Sequence, residues 1–203
     1  MRVQPTDKFL TESRLFVGVL APVDCHQNAI DRLGSALSRE IGEIETHWEA
    51  EKGWIAPESY MREMGEDLST VVFVFDGLWQ PLNLAYVKKK TIRIESSFSG
   101  SGLRRFNINP GMIDKASMRL ASHKPSPLRY SLTKDVWVEE QMRRGASNKL
   151  EPLPNIFQEY VMGSRLERLL DLSETVTEQE QKVYGFGKRS VEAGIGSIVR
   201  RNV

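Results

Sequence analysis

Two uninterrupted apolar runs, Leu15-Phe16-Val17-Gly18-Val19-Leu20 and Thr70-Val71-Val72-Phe73-Val74-Phe75, do most to limit what this chain can fold into. Both are rich in β-branched and aromatic residues, and neither alternates with polar ones. Each is stopped by turn formers, Ala21-Pro22 and Asp76-Gly77. Strands buried on both faces have this composition. The chain is therefore expected to build a sheet with covered faces, with the first run as its central strand.

The covering elements are legible between the runs. After Asp24, which can cap a helix, Ile30, Leu33, Leu37 and Ile41 recur at helical spacing, and Gly42 stands at the exit. Ser59 to Leu68 reads as one or two helical turns carrying Tyr60, Glu63 and Met64. Pro81 suits the first turn of a helix running to about Ser97, with Leu84, Val87, Thr91, Ile94 and Phe98 along one side. Lys88-Lys89-Lys90 with Arg93 is expected to be that helix's solvent face. From Glu43 to Glu51 the alternation is strict. Ile44, Thr46, Trp48 and Ala50 share one face, opposite a row of glutamates and His47, which predicts a half-buried strand with an acidic, solvated outer face.

The second half is organised around Arg104-Arg105-Phe106-Asn107-Ile108-Asn109-Pro110-Gly111. Phe106 and Ile108 alternate with Arg105, Asn107 and Asn109, so a short strand with one polar face is expected to end in an Asn-Pro-Gly turn. Ala116 to Ser122 fits a helix or a returning strand. Leu128 to Leu132 and Val136 to Arg143 fit a hairpin around Thr133-Lys134-Asp135, followed by a second turn over Gly145 to Lys149. A short helix around Leu166, Leu169 and Leu170 is expected to cover the sheet. The fold class is α+β, a single domain with a mixed or antiparallel sheet covered by helices. Residues 1–14 are read as a loose N-terminus, 15–172 as the domain, and 173–203 as a flexible, Gly-rich, basic tail containing Tyr184-Gly185-Phe186-Gly187-Lys188-Arg189.

Composition narrows the function classes. With 28 Lys and Arg against 27 Asp and Glu, the net charge of +1 supplies no global attraction for nucleic acid or an anionic membrane. The longest apolar run, Leu15 to Pro22, falls far short of the roughly 20 residues a spanning helix needs. No basic-then-apolar leader opens the sequence, so a cytoplasmic protein is expected. The single Cys25 and three scattered histidines give no metal-ligand spacing, and no metal is expected. Cys25 and His26 are adjacent, and on a helix adjacent side chains do not face each other as nucleophile and base.

Several pieces taken together resemble a bacterial family catalogued as domain of unknown function 4416. They are Leu15-Phe16-Val17-Gly18-Val19-Leu20, Tyr60-x-x-Glu63-Met64-Gly65, Asn107-Ile108-Asn109-Pro110-Gly111, Leu120-Ala121-Ser122, Arg129-Tyr130-Ser131-Leu132, Val136-Trp137-Val138-Glu139 and Pro152-Leu153-Pro154. The resemblance spans about Leu15 to Leu172 and implies a fold without an activity. Some members are labelled GTP-binding, but this chain has no G-x-x-x-x-G-K-[ST] run. Where the family usually has Asp-Pro-Gly this chain has Asn109-Pro110-Gly111; an amide can fill the same turn but cannot act as a general base or a strong cation ligand.

Two functional readings follow. In the first, Glu63, Asn107, Asn109, Lys115, Arg129 and Glu139 line a polar pocket for a small phosphate- or carboxylate-bearing ligand. Arg129 and Lys115 would hold the anion, the amides would orient it, and Glu63 or Glu139 would move a proton or hold a cation. No catalytic residue and no cofactor are assigned. In the second, the domain is a non-enzymatic interaction module whose C-terminal tail binds a protein partner or a second copy. The plainer account of the same residues is a turn at Asn109-Pro110-Gly111 and a cross-strand pair between Arg129 and Glu139.

Overall fold

A computed structural model describes residues 12–25, 27–49, 56–100, 104–160 and 164–184. The strands are β1 (Arg14–Pro22), β2 (Ile44–Glu49), β3 (Leu68–Phe75), β4 (Asn107–Ile113), β5 (Ser117–Ser122), β6 (Tyr130–Thr133), β7 (Val136–Arg144) and β8 (Leu150–Pro152). The helices are α1 (Gln27–Glu40), α2 (Glu58–Met64), α3 (Asn83–Phe98) and α4 (Arg165–Tyr184), with one 3₁₀ turn at Gln158–Tyr160. The strands form one antiparallel sheet in the order β2-β3-β1-β4-β5-β7-β6, and β8 pairs with β7. The fold is α+β.

Both apolar runs become interior strands. Alternate residues of β1 serve opposite faces, as the period of two requires. Leu15, Val17, Val19 and Ala21 join Phe73 and Phe75 of β3 against Leu33 and Leu37 of α1 and Leu84, Val87 and Ile94 of α3. Phe16 joins Val72, Val74, Met118 and Met142 against Tyr160, Leu169 and Leu172 on the other side. The sheet therefore lies between α1 with α3 on one face and α4 on the other. Gly18 is required by this second layer. A Cβ there would fall inside the van der Waals surface of the Tyr160 hydroxyl, and Tyr160 is buried against Phe16.

Four expectations need correction. Asn109-Pro110-Gly111 is not a turn but the middle of β4, paired with Gly18, Val17 and Phe16 of β1. The pairing of β4 with β5 covers only Gly111 to Ile113, opposite Leu120 to Met118. Successive strand residues direct their backbone groups to alternate sides. Ile108 bonds away from β1, toward groups of α3, so Pro110 also turns its ring nitrogen away from β1 and offers β5 no donor. The ladder stops there, and β4 and β5 fork.

Lys88 is not on a solvent face: it is 3% exposed, whereas Lys89 is exposed and Lys90 pairs with Glu40. Adjacent lysines sit about 100° apart on a helix, and position 88 falls on the stripe shared by Leu84 and Thr91. The strict alternation expected for Glu43 to Glu51 is broken in β2 by a register shift between Ile44 and Thr46. Ile44 then meets the α1/α3 layer and Trp48 the α4 layer, and Glu45 pairs with the buried Arg14 instead of joining a solvated row. Finally, α4 is not short. It runs to Tyr184, so the boundary expected at residue 173 falls inside a helix that buries Leu172, Ser173 and Val176.

Ala116 to Ser122 resolves as a returning strand, β5, and the expected hairpin and second turn appear as β6–β7 and β7–β8. The N-terminus before residue 12, and the tail beyond Tyr184 with its Gly185 to Arg189 motif, lie outside the described residues.

Candidate functional site

The fork between β4 and β5 opens a cavity of about 90 Å³. Asn107 and Asn109 of β4 form one wall, and Leu120 to Ser122 of β5, continuing into His123 and Lys124, form the other. Arg129 and Glu139 come from the β6–β7 hairpin, Tyr60 from α2, Phe157 from the segment leading into the 3₁₀ turn, and Glu159 from the turn itself.

The edge that the fork exposes is finished by α3 in place of a strand. Lys88 Nζ donates to the Ile108 carbonyl at 2.9 Å, and the Ile108 N–H donates to Glu95 Oε2 at 2.9 Å. Two groups that β5 would have paired are satisfied by a lysine and a glutamate seven residues apart on one helix stripe. Lys88 thereby reaches the cavity from the α3 side of the sheet. No carboxylate among the described residues forms an ion pair with it, although Glu95 is near enough to raise its proton affinity somewhat. Burial dominates, helped by the positive charges of Arg104 and Arg129, and lowers Lys88 to about 8.

Arg129 is held rigidly. Its Nε donates to Glu139 Oε2 at 2.7 Å, and Nη1 donates to Ser122 Oγ and to the Lys124 carbonyl, both at 2.9 Å. Nη2 has no partner among the described residues. Glu139 is 5% exposed, and its other oxygen accepts from Asn155 Nδ2 at 2.9 Å, so both carboxylate oxygens are engaged and it serves as a bracket for Arg129. Arg104 is fully engaged, by Glu95 at 3.3 Å, Glu63 at 3.5 Å and Asn107 Oδ1 at 3.0 Å. The Asn109 amide has no partner among the described residues.

Burial raises the Glu159 carboxyl to about 7, against a small opposing pull from Arg165. Burial also raises the Tyr60 hydroxyl, with the charge of Glu159 adding to it. His123 is lowered, first by burial and then by the charges of Lys88, Lys124, Arg104 and Arg129. The cavity thus gathers cations while the Glu159 carboxyl, the Tyr60 hydroxyl and His123 lean toward neutrality.

The residues expected from sequence fall into three groups. Asn107, Asn109, Arg129 and Glu139 meet in this cavity. Glu63 is half-exposed and reaches only its border, through Arg104. Lys115 is at the opposite end of the β4–β5 hairpin, where it pairs with Glu174 at 3.5 Å, because the turn joining these strands is remote from their fork. Sequence reasoning missed Lys88, Ser122, Lys124 and Glu159. The helical spacing from Leu84 to Lys88 to Thr91 was a usable signal for the first; nothing local marks Glu159, which is brought in by the docking of the 3₁₀ turn.

No curated protein and no solved structure matches this chain. The family model described as domain of unknown function (DUF4416) matches residues 11–175, which takes in every element from β1 through most of the described part of α4, and the chain belongs to that family.

Proposed function

We propose that this domain binds a small phosphate- or carboxylate-bearing molecule in the β4–β5 fork. The observation that carries this reading is Lys88, an amine at 3% exposure whose position beside the cavity is fixed by a backbone carbonyl and not by a carboxylate. A buried cation without a counter-ion is costly, and an anion entering the cavity would relieve that cost. Arg129 Nη2 and the Asn109 amide supply further donors on the facing walls, and the Glu139 bracket keeps the guanidinium oriented before the ligand arrives.

Titration with inorganic phosphate and with acetate, followed by melting temperature and calorimetry, tests the reading. A ligand at about a hundred times its Kd stabilises the folded state by about 2.7 kcal/mol. Arg129→Ala is expected to weaken binding about ten- to hundred-fold, the size of a charge-assisted hydrogen bond. Lys115→Ala is expected to leave it unchanged, since Lys115 lies at the far end of the hairpin. Absence of any shift with both anions, or equal losses in the two variants, removes the proposal.

A further inference from the structure

We propose that the ligand is a small 2-oxo acid and that Lys88 Nζ condenses with its carbonyl carbon to form an imine. This rests on the anion-binding reading and adds a covalent step to it.

Three features of the cavity point to an amine that reacts, beyond one that only attracts. The first is placement. Lys88 Nζ is fixed beside the cavity by the Ile108 carbonyl, while Arg129 Nη2 and the Asn109 amide line the same cavity and can take a carboxylate, so the amine can meet the atom next to the carboxylate as well as its charge. The second is protonation. With Lys88 lowered to about 8, roughly one molecule in ten carries the neutral amine near pH 7, against about one in a few thousand for an ordinary lysine. Desolvation together with neighbouring cations is the usual way a lysine becomes a nucleophile, and Arg104 and Arg129 are the cations here. Glu95 is the nearby carboxylate that works against it, and His123 faces the amine in its neutral form. The third is proton supply. The Glu159 carboxyl, raised to about 7, is partly protonated near neutral pH and lines the same cavity as Tyr60, whose hydroxyl feels its charge. A cavity of about 90 Å³ suits a small oxo acid such as glyoxylate or pyruvate, with five or six non-hydrogen atoms, and is too small for a nucleotide.

The step balances without an oxidant or reductant. The Nζ lone pair attacks the carbonyl carbon as the carboxylate rests on Arg129 and Asn109. The carbonyl oxygen takes a proton from the Glu159 carboxyl and the nitrogen returns one to the Glu159 carboxylate, leaving a neutral carbinolamine. Glu159 then gives that proton to the carbinolamine hydroxyl, which departs as water as the nitrogen lone pair forms the C=N bond, leaving a protonated imine beside the Glu159 carboxylate.

The experiment is reductive trapping on the full-length protein. Pyruvate or glyoxylate is added near pH 8, borohydride follows, and intact mass and peptide mapping locate the product. The expected result is one reduced adduct per chain at Lys88, about ten-fold above any other lysine, with the yield falling about ten-fold in Arg129→Ala. Lys88→Arg, which keeps a cation and a donor for the Ile108 carbonyl, should abolish the adduct. If that variant does not fold, the mapped position in the unaltered protein decides the matter alone. Adducts scattered over lysines as in urea-unfolded protein overturn the proposal. So does the absence of an adduct while phosphate or pyruvate still raises the melting temperature, an outcome that leaves anion binding standing. No adduct and no stabilisation by either anion removes both.

Discussion

Glu159 and Lys88 face one cavity, and burial moves both toward neutrality, yet their effects on stability have opposite signs with pH. An unfolded Glu159 ionises near 4.5 and the folded one near 7, so between these values the folded state holds the extra proton. Stability contributed at Glu159 is therefore highest below 4.5 and falls as pH rises to 7, by about 3 kcal/mol. For Lys88 the unfolded state holds the extra proton between about 8 and 10.5, and stability rises with pH across that window. Glu159→Gln removes the first effect without adding a charge. Urea denaturation in phosphate-free buffer should show the variant more stable than the parent by about 3 kcal/mol near pH 8 and level with it near pH 4. Parallel pH profiles for the two proteins would mean that the Glu159 carboxyl is solvated and takes no part in the cavity's electrostatics.

At the scale of elements, the fork is a strand edge completed by a helix, and Glu95 is its joint. Glu95→Ala would leave the Ile108 N–H without its acceptor and Arg104 without one of its partners, at an expected cost of about 2–4 kcal/mol; Glu95→Gln, which keeps an acceptor, should lose less than half of that. Hydrogen exchange at the Ile108 amide should speed up in the alanine variant while exchange in β3 does not. An alanine variant as stable as the parent would show that β4 needs no partner at that edge. This joint explains what could be read in advance. β1 and β3 were legible because burial on both faces leaves a continuous apolar signature, and the β6–β7 hairpin because its turn residues are local. The hairpin register also made Arg129 and Glu139 legible as a pair. Asn109-Pro110-Gly111 was misread because turn chemistry is a local preference, overridden here by pairing with β1 along the whole segment. The register shift in β2 leaves no trace in a sequence that alternates without interruption. Lys88 was misplaced when three lysines were grouped by adjacency instead of helical angle, and Lys115 when residues near in sequence to the fork were taken to be near in space.

For the molecule as a whole, the question is where the folded unit ends, and α4 answers it through its contacts with β1. Thr175 Oγ1 accepts from Arg14 Nη1 at 3.1 Å, and Arg14 is 1% exposed at the start of the strand on which the sheet is built. Its remaining partners are Glu45 and the Phe75 carbonyl, so losing Thr175 removes one of three groups that satisfy a buried guanidinium. Val176 is buried at 3% exposure one residue further on. A chain ended after Ser173 loses both. The hydrogen bond to a buried charge contributes about 1.5–3 kcal/mol and the valine about 1.5–2 kcal/mol, so a loss of roughly 3–5 kcal/mol is expected. That is a large part of the 5–15 kcal/mol typical of a domain and should lower the melting temperature by about 10 °C. A chain ended after Tyr184 keeps every contact described for α4 and should melt with the full-length protein. Thermal unfolding of the two truncations beside the parent separates the cases. If the chain ended after Ser173 melts normally, the packing of α4 on β1 contributes nothing and the domain ends where composition alone would place it. If both truncations fall together, residues after Tyr184 belong to the folded unit, and a search for self-association through the tail would have to use substitutions within it instead of its removal.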